Sequence, residues 1–298
     1  MRETTTVRLP AAELFVEAFG EEGDPVVLLV SGTGACMLAW DREFCLRLAA
    51  GRRRVLRYDG RDTGRSTTCP PGSPDYDLHD LASDAIGILD AFGVGQAHLV
   101  GLSQGGAVSQ LVALAHPDRV ASLTLVSSSP GDADPEHPTL PPTPLATQVE
   151  LHNAPWPEWS DHGSVADYIV FLDRLQAGSG RDFDEHFSRE RARRVVERAG
   201  NIESSLTNHY YVEPVAPWRG RLPELRVPTL VIHGAHDRLL PLEHGLALAR
   251  EIRGATMTTL PLGGHGLDPG DWAPVISEIL GHTRTPEEGL LPHAAAVR

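Results

Sequence analysis

Lysine is absent from this 298-residue chain, so all 26 of its cationic side chains are arginine, and 40 acidic groups outnumber them to a formal net charge of −14. A nucleic-acid partner needs clustered positive charge against its phosphates, so this balance argues against one and favours solubility. A phosphate loop of the Gly-Lys type is excluded on the same ground. Cysteine is nearly as scarce. Cys36, Cys45 and Cys69 make an odd total without CxxC spacing, which suits neither a disulfide framework nor a zinc site and fits a reducing compartment. Long apolar runs are missing too: none approaches the ~18 residues of a membrane span, and MRETTTVRLP holds no signal-type apolar core of about 7–15 residues. The expectation is a cytoplasmic protein, monomer or homodimer, with no nucleic-acid or membrane partner.

What is present is a regular alternation. TTTVRLP and ELFVEAF have period-two character and read as an antiparallel hairpin joined through Pro10, Ala11 and Ala12. Short, nearly continuous apolar runs follow at Val26 to Val30, Val55 to Tyr58, Ala97 to Val100, Leu123 to Val126, Thr229 to Ile232 and Thr256 to Leu260. Such runs suit strands buried on both faces of a parallel sheet. Helix-period segments lie between them; in DLHDLASDAIGILDAFG, Leu78, Leu81, Ala85, Ile88, Leu89 and Phe92 share a face and Gly93 ends the run. The pattern predicts an α/β fold with right-handed crossovers, its mostly parallel, eight-stranded sheet flanked by helices.

Residues 131–217 break the alternation. A Pro- and Asp-rich loop, PGDADPEHPTLPPTP, leads into helical pieces that carry Trp156, Trp159, Tyr168, Phe171, Tyr210 and Tyr211, with Trp218 at their end. An αβ connection needs only about 2–6 residues. The stretch is therefore expected to be a helical cap, inserted between core segments 1–130 and 218–283 and lying over the sheet edge where open α/β sheets bind ligands. Trp156, Trp159, Tyr210 and Tyr211 are its candidate substrate contacts. Residues 284–298 lack periodicity and are expected to be a flexible tail.

Ser103 stands in HLVGLSQGG, two residues after Gly101 and two before Gly105, between an apolar run and the helical segment GGAVSQLVALAHPDRV with Val108, Leu111, Val112 and Ala115 on one stripe. A serine on a strand-to-helix turn has a strained backbone, and glycine at both flanking places removes the collisions that side chains would cause. The hydroxyl then projects from the sheet edge, and the Gln104 N–H faces the substrate at a helix N-terminus. Such a hydroxyl needs a base, and the base needs a carboxylate to fix its tautomer, arriving in chain order Ser, acid, His.

VPTLVIHGAHDRLLP places Asp237 in the loop after one strand, in preference to Asp132 and Asp134; a simple helix cap is the plain alternative for Asp237. TTLPLGGHGLDPGDW places His265 between Gly264 and Gly266, the only one of 14 histidines in that setting. His98 and His233 read as core or supporting residues, while His209 and His236 are site neighbours without a role. SGTGACMLAW after Val30 is Gly-rich, and the Thr33 N–H is the candidate second oxyanion donor beside Gln104. YDGRDTGRS reads as a turn near the active-site rim in which Asp59 and Asp62 pair with Arg61 and Arg65, a structural feature in preference to a substrate contact.

These motifs resemble the α/β-hydrolase fold, and within it the aclacinomycin methylesterase group. The strings RYDGRDTGRST, HLVGLSQGG, VPTLVIHGAHD and LPLGGHG carry the resemblance, which covers residues 10–130 and 218–283. The oxyanion loop departs from it, with Ser31-Gly32 where many members begin His-Gly, and the sequence of the cap does not carry the resemblance. The resemblance implies a cap-covered hydrolase with Ser103 as nucleophile, His265 as base, Asp237 as orienting acid, and Thr33 and Gln104 as oxyanion donors.

The expected activity is cofactor-free, metal-free serine hydrolysis of a small-molecule carboxylic ester through an acyl-enzyme, with a methyl ester on an aromatic or polyketide-type scaffold as the substrate suggested. A thioesterase, lactonase, C–C hydrolase or perhydrolase would use the same triad. A ligand receptor on this fold is the alternative outside enzymology.

Overall fold

The opening period-two alternation forms a hairpin: β1 (Arg2–Arg8) pairs antiparallel with β2 (Glu13–Phe19), and the Leu9 amide donates to the Ala12 carbonyl across the connection (2.8 Å). In this computed structural model, residues 2–131, 137, 139–213 and 215–284 are described. The chain continues through β3 (Val26–Val30), α1 (Arg42–Ala50), β4 (Arg54–Tyr58), α2 (Leu78–Ala91), β5 (Ala97–Leu102), α3 (Gln104–Ala115) and β6 (Val120–Val126). Four helices follow: α4 (Leu145–His152), α5 (His162–Ala177), α6 (Glu185–Arg198) and α7 (Ile202–Thr207). It closes with β7 (Thr229–Gly234), α8 (Glu243–Glu251), β8 (Thr256–Leu260) and α9 (Trp272–His282).

The eight strands make one sheet in the order β1-β2-β4-β3-β5-β6-β7-β8. Only the pairings of β2 are antiparallel; β4, β3, β5, β6, β7 and β8 run parallel. The apolar runs become strands because helices cover both faces, and the strand period of two divides each run between them. Leu28 and Val30 pack with α2, α3 and α8, while Val27 and Leu29 pack with Phe44, Cys45 and Leu48 of α1 and with Val275 and Ile279 of α9. α2 begins at a capping box between Asp77 and Asp80 and buries Leu81, Ala85, Ile88 and Leu89. Strand order reverses at β3: α1 carries the chain to β4 on one side, and α2 brings it back to β5 on the other. The C-terminal ends of β3 and β5 therefore flank a switch-point crevice.

Two local expectations are corrected. Ala115, placed on the buried stripe of α3, is exposed, whereas Gly105, Ser109, Gln110 and Ala113 are buried; α3 is enclosed over an arc wider than one stripe, and its last turn ends at the surface. YDGRDTGRS is buried at Asp59 and Asp62, and among the described residues its acids and arginines form no ion pair with one another, although the Arg65 amide donates to Asp59 Oδ2 (3.0 Å). Asp59 binds Arg198 (2.7 Å), Arg61 forms a two-point pair with Asp84 (2.8 Å each), and Asp62 accepts from Tyr76 Oη and Asn208 Nδ2. Oppositely charged neighbours in a tight turn point apart, so each finds its partner on another element. The expected tail lies outside the described residues, apart from Arg284.

Candidate active site

Ser103 follows the last residue of β5 and precedes the first of α3, with φ 55° and ψ −119°. That left-handed backbone costs a β-substituted residue about 1–3 kcal/mol and persists only where its surroundings hold it. Here they do: Ser103 N donates to Val126 O (2.9 Å), and its own carbonyl accepts from Gly106 N (2.8 Å) and Ser128 Oγ (2.9 Å). The flanking glycines are required by space. A Cβ on Gly101 would strike the Gly105 carbonyl, and one on Gly105 would strike the Val30 carbonyl.

His265 completes a hydrogen-bonded series. Its Nε2 lies 2.9 Å from Ser103 Oγ and its Nδ1 2.8 Å from Asp237 Oδ2. A carboxylate accepts only from Nδ1–H, so Nε2 is left as the acceptor for the serine proton. His265 and Asp237 are both buried. Asp237 divides its oxygens: Oδ2 faces His265, while Oδ1 accepts from the amides of Leu239 and Leu240 (2.8 Å each). One side chain thus both caps the turn and bonds His265. Burial alone would push its carboxyl up, but the imidazoles of His265 and His233 more than offset this and hold it below the usual carboxylate range. Asp132 and Asp134, its rivals, lie outside the described residues.

The loop after β3 closes over Ser103: a Cβ on Gly32 would come within 3.1 Å of Ser103 Cβ. Neither the Thr33 N–H nor the Gln104 N–H enters a hydrogen bond among the described residues, so both remain free to donate. Gln104 is also the first residue of α3, where the helix dipole favours negative charge.

The remaining sequence candidates are dispersed. Trp156 is largely exposed and lies near-parallel to Tyr168 (6.1 Å between ring centroids), which in turn stacks on Phe171 (6.3 Å). Trp159 packs against the cluster that α5 and α6 form through Val165, Ile169 and Val196. Tyr210 and Tyr211 are exposed at 68% and 61%. No hydrogen bond or ring contact among the described residues joins any of these four to Ser103, Asp237 or His265. His98 binds Ser122 within the sheet, and His236 meets Ser179.

Sequence reasoning places His233 as core or supporting and His209 as a site neighbour, but the partners in three supporting contacts escape it. His233 Nε2 sits 2.9 Å from Leu240 O and 3.3 Å from Asp237 Oδ2, behind the acid. The Gln176 carbonyl, at the end of α5, accepts from the amides of His265 (2.7 Å) and Gly266 (3.3 Å). His209 meets Gly34 beside the oxyanion loop. Separations of 89 residues (265 − 176) and 175 residues leave no periodic signal, and each of the three contacts uses a main-chain atom, which residue type does not mark.

Residues 25–267 match a family model described as the alpha/beta hydrolase fold. A rhodomycin D methylesterase of Streptomyces peucetius is 31% identical over 283 residues, 91% of this chain and 95% of that protein. A protein named as a carbamate hydrolase, from Variovorax paradoxus, is 33% identical over 85% of this chain and 89% of its own length. Among solved structures, a hydrolase of Pseudomonas aeruginosa superposes with a TM-score of 0.73 at 26% identity, covering 95% of this chain and 98% of that one.

Proposed function

This chain belongs to the α/β-hydrolase fold family and is a hydrolase of carboxylic esters, and from that premise we propose that Ser103, His265 and Asp237 are its catalytic triad. The observation that carries the reading is the unbroken series from Asp237 to His265 to Ser103, at 2.8 and 2.9 Å, ending on a serine in a strained turn. His265 Nε2 takes the Ser103 proton as Oγ attacks the acyl carbonyl. The Thr33 and Gln104 N–H groups receive the oxyanion, and Asp237 stabilises the imidazolium. His265 then hands its proton to the departing alkoxide. Water, deprotonated by the same imidazole, attacks the acyl-enzyme and frees the acid and Ser103.

The helices of 131–217 serve as a cap over this site. Their support is threefold: Gln176 meets the His265 loop, Thr143 Oγ1 donates to Leu239 O (2.7 Å), and His209 meets the oxyanion loop. The substrate is a methyl ester on an aromatic or polyketide-type scaffold. The methylesterase relative supports that reading. The protein acts in the cytoplasm as a monomer or homodimer; three unpaired cysteines fit that compartment.

Turnover of p-nitrophenyl acetate, butyrate and octanoate, with intact mass after a fluorophosphonate probe, tests the nucleophile. Wild type should turn over and gain one adduct. Ser103→Ala should gain none and lose about four to six orders of magnitude in kcat. An adduct that persists in Ser103→Ala would rule the assignment out.

A further inference from the structure

Resting on the serine-hydrolase reading above, we propose that His209 is a positioning residue that holds the oxyanion loop in its donating conformation from the cap side. Gly34 N donates to His209 Nδ1 (3.0 Å), and His209 Nε2 donates to the Arg61 carbonyl (2.9 Å). Both partners are main-chain groups of fixed polarity, a donor on one side and an acceptor on the other. One protonation state alone satisfies both: the neutral ring with its hydrogen on Nε2. The ring is buried and meets Tyr76 edge-on, with centroids 6.1 Å apart.

The ring's own support is rigid. His209 lies in a short 3-10 turn, Asn208–Tyr210, directly after α7. Neighbouring Asn208 is wholly buried; its amide donates to Asp62 Oδ2 (2.9 Å) and Pro70 O (3.1 Å) and accepts from Gly72 N (2.7 Å). Ser205 Oγ adds a bond to Asp62 O (2.6 Å). With its base pinned in this way, the imidazole acts as a fixed peg for the amide it meets.

That amide belongs to Gly34, one residue beyond the Thr33 N–H assigned to the oxyanion. The loop's other ties lie at its start, where Gly32 packs on Ser103 and Gly105 on the Val30 and Ser31 carbonyls, and in a long Ser31 Oγ bond to Cys36 O (3.4 Å). Its backbone bond is Ala35 N to Gly32 O (3.1 Å), and Gly34 itself adopts φ 67°, a conformation that no side chain stabilises. Beneath it lies a cavity of about 20 Å³, lined by Ser31, Gly32, Gln104, Val108 and Asp84 with His209 in its wall. That space, room for about one water, lets the Thr33–Gly34 turn shift slightly once the peg is lost. An oxyanion donor acts only at the short distance set in advance, so a small shift lowers transition-state binding and leaves ground-state binding nearly intact.

Two substitutions separate the peg from a general structural role. Asn places an acceptor near the Nδ1 position, whereas Gln places its amide near the Nε2 position. His209→Asn therefore keeps the Gly34 contact and loses the Arg61 contact; His209→Gln does the reverse. Each loses one hydrogen bond of similar kind, so thermal stability should fall alike.

The readouts are kcat and KM with p-nitrophenyl acetate, and amide exchange at Gly34 followed by NMR. The expected result is near wild-type kcat and Gly34 protection in His209→Asn. His209→Gln should lose about tenfold or more in kcat at unchanged KM, short of the ~10²–10³ lost with an oxyanion donor itself, together with its Gly34 protection. Equal kcat and equal protection in the two variants would overturn the proposal. The exchange measurement reads the loop without reference to turnover. The predicted protection pattern in a protein that neither turns over esters nor takes the probe would therefore uphold the peg and bring down the esterase reading alone.

Discussion

Asp237 does two jobs with two oxygens, and the jobs can be separated by substitution. Asn keeps the carbonyl-type oxygen that accepts from Leu239 and Leu240 but presents an amide toward His265 Nδ1. The donor would force the hydrogen of His265 onto Nε2, facing the serine, and remove its capacity as a base. Asp237→Asn should therefore fold with nearly native stability while kcat falls by about 10⁴. Asp237→Ala should lose the turn as well, so its unfolding midpoint falls below that of the Asn variant. A large stability loss in Asp237→Asn, measured by urea unfolding, would mean that the charge and not the tautomer is what the loop needs.

At the scale of elements, the turn between β5 and α3 is where sequence and structure agree most closely. Gly105 lies against the Val30 and Ser31 carbonyls, so the start of α3 is wedged under the loop that follows β3. Gly105→Ala should cost about 1–3 kcal/mol by overpacking, and it should lower activity as well because the wedge moves Gln104. Urea unfolding together with kcat checks both; an unchanged midpoint would show that the loop can retreat freely. This element was legible because its constraints are local: two glycines, an apolar run before, a helical run after. The strands were legible for the same reason, since burial on both faces writes itself into consecutive residues such as Val26 to Val30. The partners of Asp59 and Arg61 were not, because Arg198 and Asp84 come from α6 and α2 and nothing in YDGRDTGRS encodes their approach. Nor was the use of His209, whose two partners are peptide groups.

Over the whole molecule, buried imidazoles should govern the response to acid. Burial pushes His209, His244 and His282 below their ordinary value, so near pH 6.5 the unfolded chain takes up protons that the folded one refuses. Stability from these groups is complete above that point and is lost as pH falls through it. Asp237, held below the carboxylate range, adds stability that is kept above about pH 4 and lost beneath it. Asp84 and Asp271 oppose this trend, since burial raises both and the folded state then binds the proton more tightly, but Arg61 and Arg181 restrain the rise. Three imidazoles against two restrained carboxyls give a Tm that drops from pH 7 to pH 5, with a shallower slope in His244→Gln. Thermal melts across that range decide it, and a Tm that climbs toward pH 5 would show the carboxyls in control.

The clamp that Gln176 places on His265 and Gly266 is made wholly of peptide groups. Evolution can therefore rewrite the helices of residues 131–217 side chain by side chain without touching it, yet cannot shift the end of α5 by one residue without releasing His265. Insertions in descendants of this protein should accumulate on the far side of α5, around residues 153–161, and be purged from 177–180, where Gly178 and Gly180 lie hard against the His236 and Leu262 carbonyls. Drift in composition and constancy in length would mark that segment, a kind of inheritance carried by spacing alone.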